Sequence, residues 1–170
     1  MIETVVIRPP TTDDRPAILN VLRDAFRRDD EATLVDALWR DDAMPVELIA
    51  EEAGRVIGYC GFSPVKAEPA LEGRLLGLAP LAVTNERQGQ GVGKTLAMHG
   101  LERCRERDAA LIVVLGEPEY YSRFGFKPAS DHNIKWAAMD AGRAFQLIDF
   151  GGVTSSTAHT INYHTAFSQV

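Results

Sequence analysis

Leu81-Ala82-Val83-Thr84-Asn85-Glu86-Arg87-Gln88-Gly89-Gln90-Gly91-Val92-Gly93-Lys94 is the stretch on which the fold turns. It opens apolar, as the end of a strand that starts at Arg74. It closes on a segment, Gly91 to Arg107, in which Ala97, Leu101 and Cys104 share one helical face while Arg103, Arg105 and Glu106 lie mostly off it. Strand, loop and helix therefore follow one another without a break. Glycines at alternate positions allow a tight turn and leave backbone N–H groups uncovered, at the point where a helix contributes the positive end of its dipole. A diphosphate fits such a nest. From these residues alone, the glycines could also do no more than shape the turn. Gly93-Lys94-Thr95 further resembles the end of a nucleoside-triphosphate loop, although the glycine required five residues before Gly93 is Gln88 and no apolar strand ending in Asp offers to hold magnesium.

Upstream, Val5 to Arg8 reads as a short strand, and Thr11 to Asp14 supply N-cap candidates for a helix striped by Ile18, Leu22 and Phe26. Leu34, Leu38 and Trp39 mark a second short helix that ends near Asp41 to Pro45. Val46 to Glu52 and Arg55 to Ser63 form a hairpin around Ala53-Gly54. Pro80 interrupts the strand from Arg74 to Thr84; it cannot donate to a ladder, so a bulge or a splayed edge is expected there. Downstream, Ala110 to Leu115 is a buried strand, Glu119 to Phe124 a short helix stopped by Gly125, and Phe145 to Phe150 and His159 to Tyr163 are strands.

No repeat or linker divides the 170 residues, so one domain spanning 1–170 is expected. With 18 Lys and Arg against 24 Asp and Glu, the net charge of −6 argues against nucleic acid as the main partner and favours a cationic one. Met1 to Arg8 lacks a sorting signal and no apolar run is long enough to span a membrane, so a cytoplasmic protein is expected. Cys60 and Cys104 lack the paired spacing of metal or redox sites and read as small core residues. His99, His132, His159 and His164 form no metal-spaced set, and no metal is expected. A homodimer is compatible with the sequence.

Gln88-x-x-Gly91-x-Gly93 between a strand and a helix resembles the acetyl-CoA pyrophosphate motif of the GNAT superfamily of N-acetyltransferases. A second match follows about 30 residues on. There the buried strand at Ala110 to Leu115 leads to Tyr120-Tyr121, and three residues later to Gly125-Phe126, the spacing of the second motif of that family. The Asn and Ala often found before the aromatic pair are absent, and Gly116-Glu117-Pro118 stand nearby. Together with Tyr163-His164-Thr165-Ala166-Phe167, the wording from Gly116 to Phe126 looks most like a bacterial YhbS-like branch.

The resemblance implies an α/β fold, the GNAT (acyl-CoA N-acyltransferase) fold, with a mixed central sheet, a splayed strand pair and flanking helices. It implies acetyl-CoA as co-substrate, with Gln88, Gly89, Gln90, Gly91, Val92, Gly93 and Lys94 around the diphosphate. Main-chain groups of Leu81, Ala82 and Val83 would bind the pantetheine arm and thioester carbonyl. Tyr121 matches the position that protonates the departing thiolate. Glu51, Glu52, Glu72 and Glu117 are carboxylates near the expected cleft, none of which stands out as a base. The amine acceptor, whether a polyamine-like metabolite, an aminoglycoside-like compound or a protein amine, would meet the two N-terminal helices, the strand pair from Val46 to Ser63 and the C-terminal segment. An acyl-CoA-binding module without turnover is the non-enzyme alternative, against which the phenol of Tyr121 speaks.

Overall fold

The computed structural model describes residues 4–170, so Met1, Ile2 and Glu3, the start of the stretch in which no sorting signal is found, lie outside the described residues. In chain order the regular elements are β1 (Val5–Arg8), α1 (Arg15–Phe26), α2 (Asp30–Arg40), β2 (Val46–Glu52), β3 (Arg55–Pro64), β4 (Lys66–Glu68) and β5 (Arg74–Val83). They continue as α3 (Val92–Glu106), β6 (Ala109–Leu115), α4 (Pro118–Ser122), β7 (Lys127–Pro128), β8 (Ile134–Trp136), β9 (Phe145–Asp149) and β10 (His159–Asn162). Packing divides the chain into two compact units. Among the described residues the first comprises 4–62, 79–103 and 165–170, the second 63–78 and 104–164.

In the first unit the strands run in the order β1-β2-β3-β5. β1 and β2 are antiparallel from Val5↔Glu52 to Arg8↔Ile49, and β2 and β3 from Val46↔Phe62 to Glu52↔Arg55. The hairpin turn has positive φ at both Ala53 and Gly54, 51° and 76°, the backbone twist that suits a two-residue connection. α1 and α2 bury Ile18, Val21, Leu22, Val35 and Leu38 with Ile49, Tyr59 and Ala82 in one apolar cluster. Phe26 departs from the expected stripe and is 36% exposed, whereas Val21 takes a place in the core. Eight residues at about 100° each carry Phe26 about 80° round from Ile18, to the edge of the buried face. α1 then stops at Arg27, whose φ of 56° leaves the helical region.

α3 approaches β3 closely because two glycines remove side chains from the contact. A Cβ at Gly58 would lie 2.8 Å from Leu96 Cδ1, and one at Gly100 would lie 2.6 Å from Phe62 Cε2. Both cysteines are fully buried, in keeping with small core residues.

In the second unit β5 pairs parallel with β6 from Arg74↔Ala109 to Gly77↔Val113, and β6 pairs antiparallel with β9, which pairs with β7. One parallel pair among antiparallel ones makes the sheet mixed, as the fold class requires. A register shift lies at Arg74/Leu75, and the ladder to β6 ends at Gly77. Pro80, three residues later and with no N–H to give, is thus not called on to donate to it. A small sheet of order β4-β10-β8 completes this unit. Val65, Leu75, Leu111, Val113, Ile134, Phe145, Leu147 and Ile161 form its core.

Candidate functional site

The loop after β5 is pinned from one side and open on the other. Thr84 N–H donates to the Ile57 carbonyl, which fixes where β5 ends. The backbone N–H of Asn85 donates to Asp24 Oδ2 at 2.8 Å, and its side-chain amide donates to the Asp24 carbonyl at 2.8 Å. Glu86 pairs with Arg55 at 2.8 Å, and Arg87 Nε with Glu52 Oε2 at 2.7 Å. Three successive residues are therefore tied to α1 and to the β2–β3 hairpin. Gln88 turns back on the strand, its amide donating to the Val83 carbonyl at 2.9 Å, and the Gln90 amide donates to the Glu86 carbonyl at 3.2 Å.

Beyond these anchors the backbone swings through Gly89 and Gly91 with φ of 75° and 85°, values that L side chains rarely adopt. A Cβ at either position would meet nothing within 4 Å. Gly93 differs from what the alternate spacing predicts: it sits inside α3 without positive φ, so two glycines make the turn and the third opens the helix. The first N–H groups of a helix have no partner within it. A cavity of about 670 Å³ on the anchored side of the loop is lined by Asp13, Asn20, Asp24, Arg55, Thr84 and Glu86 among others. Its acidic lining would repel phosphate, which leaves the glycine side for an anion.

In the second unit, the ring of Tyr121 on α4 packs edge-on against Tyr120, Phe124 and Phe126 at centroid distances of 5.0, 6.2 and 5.8 Å. A side chain at Gly116 would collide with that ring, so Gly116 is the space in which Tyr121 lies. The helix ends earlier than the Gly125 stop predicts, at Ser122, and the chain leaves it through turns in which the N–H groups of Phe124 and Gly125, the latter with φ of 99°, donate to the Tyr121 and Ser122 carbonyls. Tyr163, to which the sequence attaches no role, lies against Gly77, whose Cβ would come 2.6 Å from Tyr163 Cε1. Burial first, and then the proximity of Tyr121, raise the Tyr163 phenol above its ordinary value of 10.0.

Two of the four carboxylates considered as bases are already engaged: Glu51 accepts from Arg8 Nε at 2.7 Å, and Glu52 holds Arg87. Glu117 caps α4 with its carbonyl, which accepts from the Tyr121 N–H, and Glu72 is exposed in the connection before β5. Glu47 is the carboxylate that the sequence does not single out. Its Oε1 accepts from Trp39 Nε1 and from the Tyr59 hydroxyl, each at 2.9 Å. Burial, with the Glu47 charge second, raises the Tyr59 phenol well above its ordinary value. Among the described residues no group of three or more His, Cys, Asp or Glu could hold a metal ion, and no helix is long and apolar enough to cross a membrane.

The sequence profile of the Acetyltransferase (GNAT) family matches residues 15–126. The uncharacterised N-acetyltransferase YhbS of Escherichia coli K12 is 37% identical over 171 residues, covering 97% of this chain and 99% of that protein. The crystal structure of E. coli YhbS in complex with CoA superposes with a TM-score of 0.87 at 35% identity, over 99% of this chain and 94% of that one. A GNAT family acetyltransferase from Brucella melitensis, solved with acetyl-CoA, gives a TM-score of 0.82 at 35% identity, over 96% and 98% of the two chains.

Proposed function

Because the chain belongs to the GNAT acetyltransferase family, we propose that it transfers the acetyl group of acetyl-CoA to a primary amine by direct attack within a ternary complex. The observation that carries the cofactor assignment is the turn at Gly89 and Gly91 into the open N-terminus of α3. Diphosphate oxygens would accept from the N–H groups of Gly89 to Lys94, with no side chain in the way at Gly89 and Gly91 and the helix dipole favouring their charge. Gln88 acts indirectly, since its amide is spent on the Val83 carbonyl and stiffens the turn.

The neutral amine nitrogen attacks the thioester carbonyl carbon, and backbone groups of the Leu81–Val83 stretch stabilise the oxyanion that forms. When the C–S bond breaks, the electron pair goes to sulfur and the Tyr121 hydroxyl delivers its proton there. The new amide nitrogen sheds its extra proton to water, which needs no dedicated base. The P-loop reading falls with the family assignment, and neither cysteine serves as an acetyl carrier. Cys104, for one, has its thiol pushed up to about 12 by burial.

We read the chain as one acetyltransferase domain, since each unit is assembled from separated segments of sequence. We place it in the cytoplasm, where two thiols not joined in a disulfide are stable. The net charge of −6 favours a cationic acceptor. The test is thiol release from acetyl-CoA across a panel of amines, paired with calorimetry against CoA and against ATP with magnesium. Heat with CoA and none with ATP is expected; tight ATP binding without CoA binding would overturn the reading.

A further inference from the structure

We propose that Glu47 is the anionic contact that receives the acceptor's ammonium group, through the carboxylate oxygen left over by Trp39 and Tyr59. The inference rests on the acetyltransferase reading and adds to it a chemical class of acceptor and the residue that recognises it. Trp39 Nε1 and the Tyr59 hydroxyl both donate to Oε1, so one edge of the carboxylate is fixed inward by two buried side chains. Among the described residues Oε2 accepts no hydrogen bond, and the residue is half-buried, so that edge remains reachable.

The two donors need only an acceptor. A glutamine carbonyl would satisfy both, so the negative charge is surplus to the network. Its treatment differs from that of its neighbours on the same strand: Glu51 pairs with Arg8 and Glu52 with Arg87, each at 2.7 Å, whereas no cation of the described residues stands within ion-pair distance of Glu47. The Arg15 guanidinium lies over the Trp39 ring, 4.7 Å from its centroid, and makes no ion pair with Glu47. A half-buried carboxylate with one oxygen open and no ion pair to break can take a cation without first releasing another.

The position suits the reaction. Glu47 lies opposite Gly61 in the β2–β3 ladder. A Cβ at Gly61 would come 2.9 Å from the Tyr59 hydroxyl and 2.9 Å from Met44 Sδ, so the missing side chain leaves room for that hydroxyl to reach Glu47. On its other side β3 borders β5, with Ile57 bonded to Thr84, and Tyr59 two residues further on shares a buried cluster with Ala82. Through Tyr59, Glu47 is joined to the buried cluster that also holds Ala82, in the stretch where the thioester is proposed to lie. It takes no part in bond making; it holds the ammonium group, which gives up one proton to water before the neutral nitrogen attacks.

Trp39 supplies a reporter that does not depend on knowing the natural acceptor. The protein has two tryptophans, so an ¹⁵N-labelled sample gives two indole N–H resonances, assigned with Trp136→Phe. n-Butylammonium chloride is titrated into the protein with and without saturating CoA, and n-butanol is titrated as the uncharged isostere. The Trp39 resonance should move with n-butylammonium and stay put with n-butanol. In Glu47→Gln, which keeps an acceptor for both donors, half-saturation should need roughly 10- to 100-fold more ligand, the cost of losing a hydrogen bond between charged groups. A Trp39 signal that ignores n-butylammonium, follows n-butanol equally, or responds equally in Glu47→Gln overturns the proposal. If that variant fails to fold, the ammonium-against-alcohol comparison in the wild type still decides. Calorimetry showing no CoA binding would instead refute the acetyltransferase reading, while the titration without CoA judges Glu47 independently.

Discussion

Replacing Gly91 by alanine separates the two tasks of the glycine loop. At φ of 85° a Cβ strains the backbone by roughly 1–2 kcal/mol. The methyl group itself meets no protein atom within 4 Å, so no clash adds to that figure. For a chain of this size each kcal/mol lowers Tm by about 2–4 °C, so Gly91→Ala should melt roughly 2–8 °C below wild type. The methyl would also stand where the diphosphate approaches. Losing one charge-assisted N–H contact of about 1.5–3 kcal/mol raises the Kd for CoA by roughly 10- to 100-fold. Gly93→Ala is the control, because Gly93 lies within α3 without positive φ: it should keep or slightly raise Tm and still weaken CoA. Circular dichroism melts and calorimetric CoA titrations on the three proteins give both quantities. Gly91→Ala that melts early yet binds CoA like wild type would show that the glycine serves the turn alone, and the cofactor cradle would be refuted.

Tyr121→Phe should lower kcat by about 10², the low end for general acids because a thiolate can leave unaided, with the KM for acetyl-CoA nearly unchanged. The ring contacts with Tyr120, Phe124 and Phe126 survive, so Tm is the control, and a wild-type rate at all pH values would return the residue to packing. Asp14 is held down to about 2, first by its hydrogen bond from Arg8 and then by the Thr11 N–H. A depressed carboxyl stabilises the fold above its ordinary value of 3.8, and the contribution is lost as pH falls through about 2. Asp14→Asn should therefore lower the urea midpoint at neutral pH by an amount that vanishes in strong acid; a constant difference down to that pH would exclude the linkage. The Cys104 thiol, raised to about 12, stays protonated in the fold while an unfolded thiol ionises near about 8.5, so its contribution is present below that value and lost as pH rises toward 12. Labelling of Cys104 by a disulfide reagent near about pH 8 should accordingly track global unfolding, and rapid labelling of the folded protein would contradict its burial.

The central part of the fold was legible because it combines signals of different kinds. α3 is 15 residues long, enough for its period to show, and the glycines before it mark the turn. β4, β7 and β8, with 3, 2 and 3 residues, are too short to display an alternation, and the sequence gives no sign of them. The motif spacing marked the loop proposed to hold the diphosphate but made its three glycines equivalent, whereas the backbone uses Gly89 and Gly91 differently from Gly93. The anchors of the loop were invisible: Arg87 and Glu52 are 35 positions apart, and Asn85 and Asp24 are 61 apart. Glu47 was hidden for another reason. A polar residue between Val46 and Leu48 is what the outward face of any half-buried strand looks like, and only folding brings Trp39 and Tyr59 to it.

The dispersal of those loop anchors bears on recombination. A graft carrying only Leu81 to Lys94 into another scaffold would take the glycines proposed to face the diphosphate and leave behind Asp24, Glu52 and Arg55, the partners of Asn85, Arg87 and Glu86. The transplanted turn would have its sequence but not its shape. A chimaera that preserves the cofactor cradle must inherit α1, the β2–β3 hairpin and the loop from one parent, so the crossover points compatible with function are fewer than the short motif suggests.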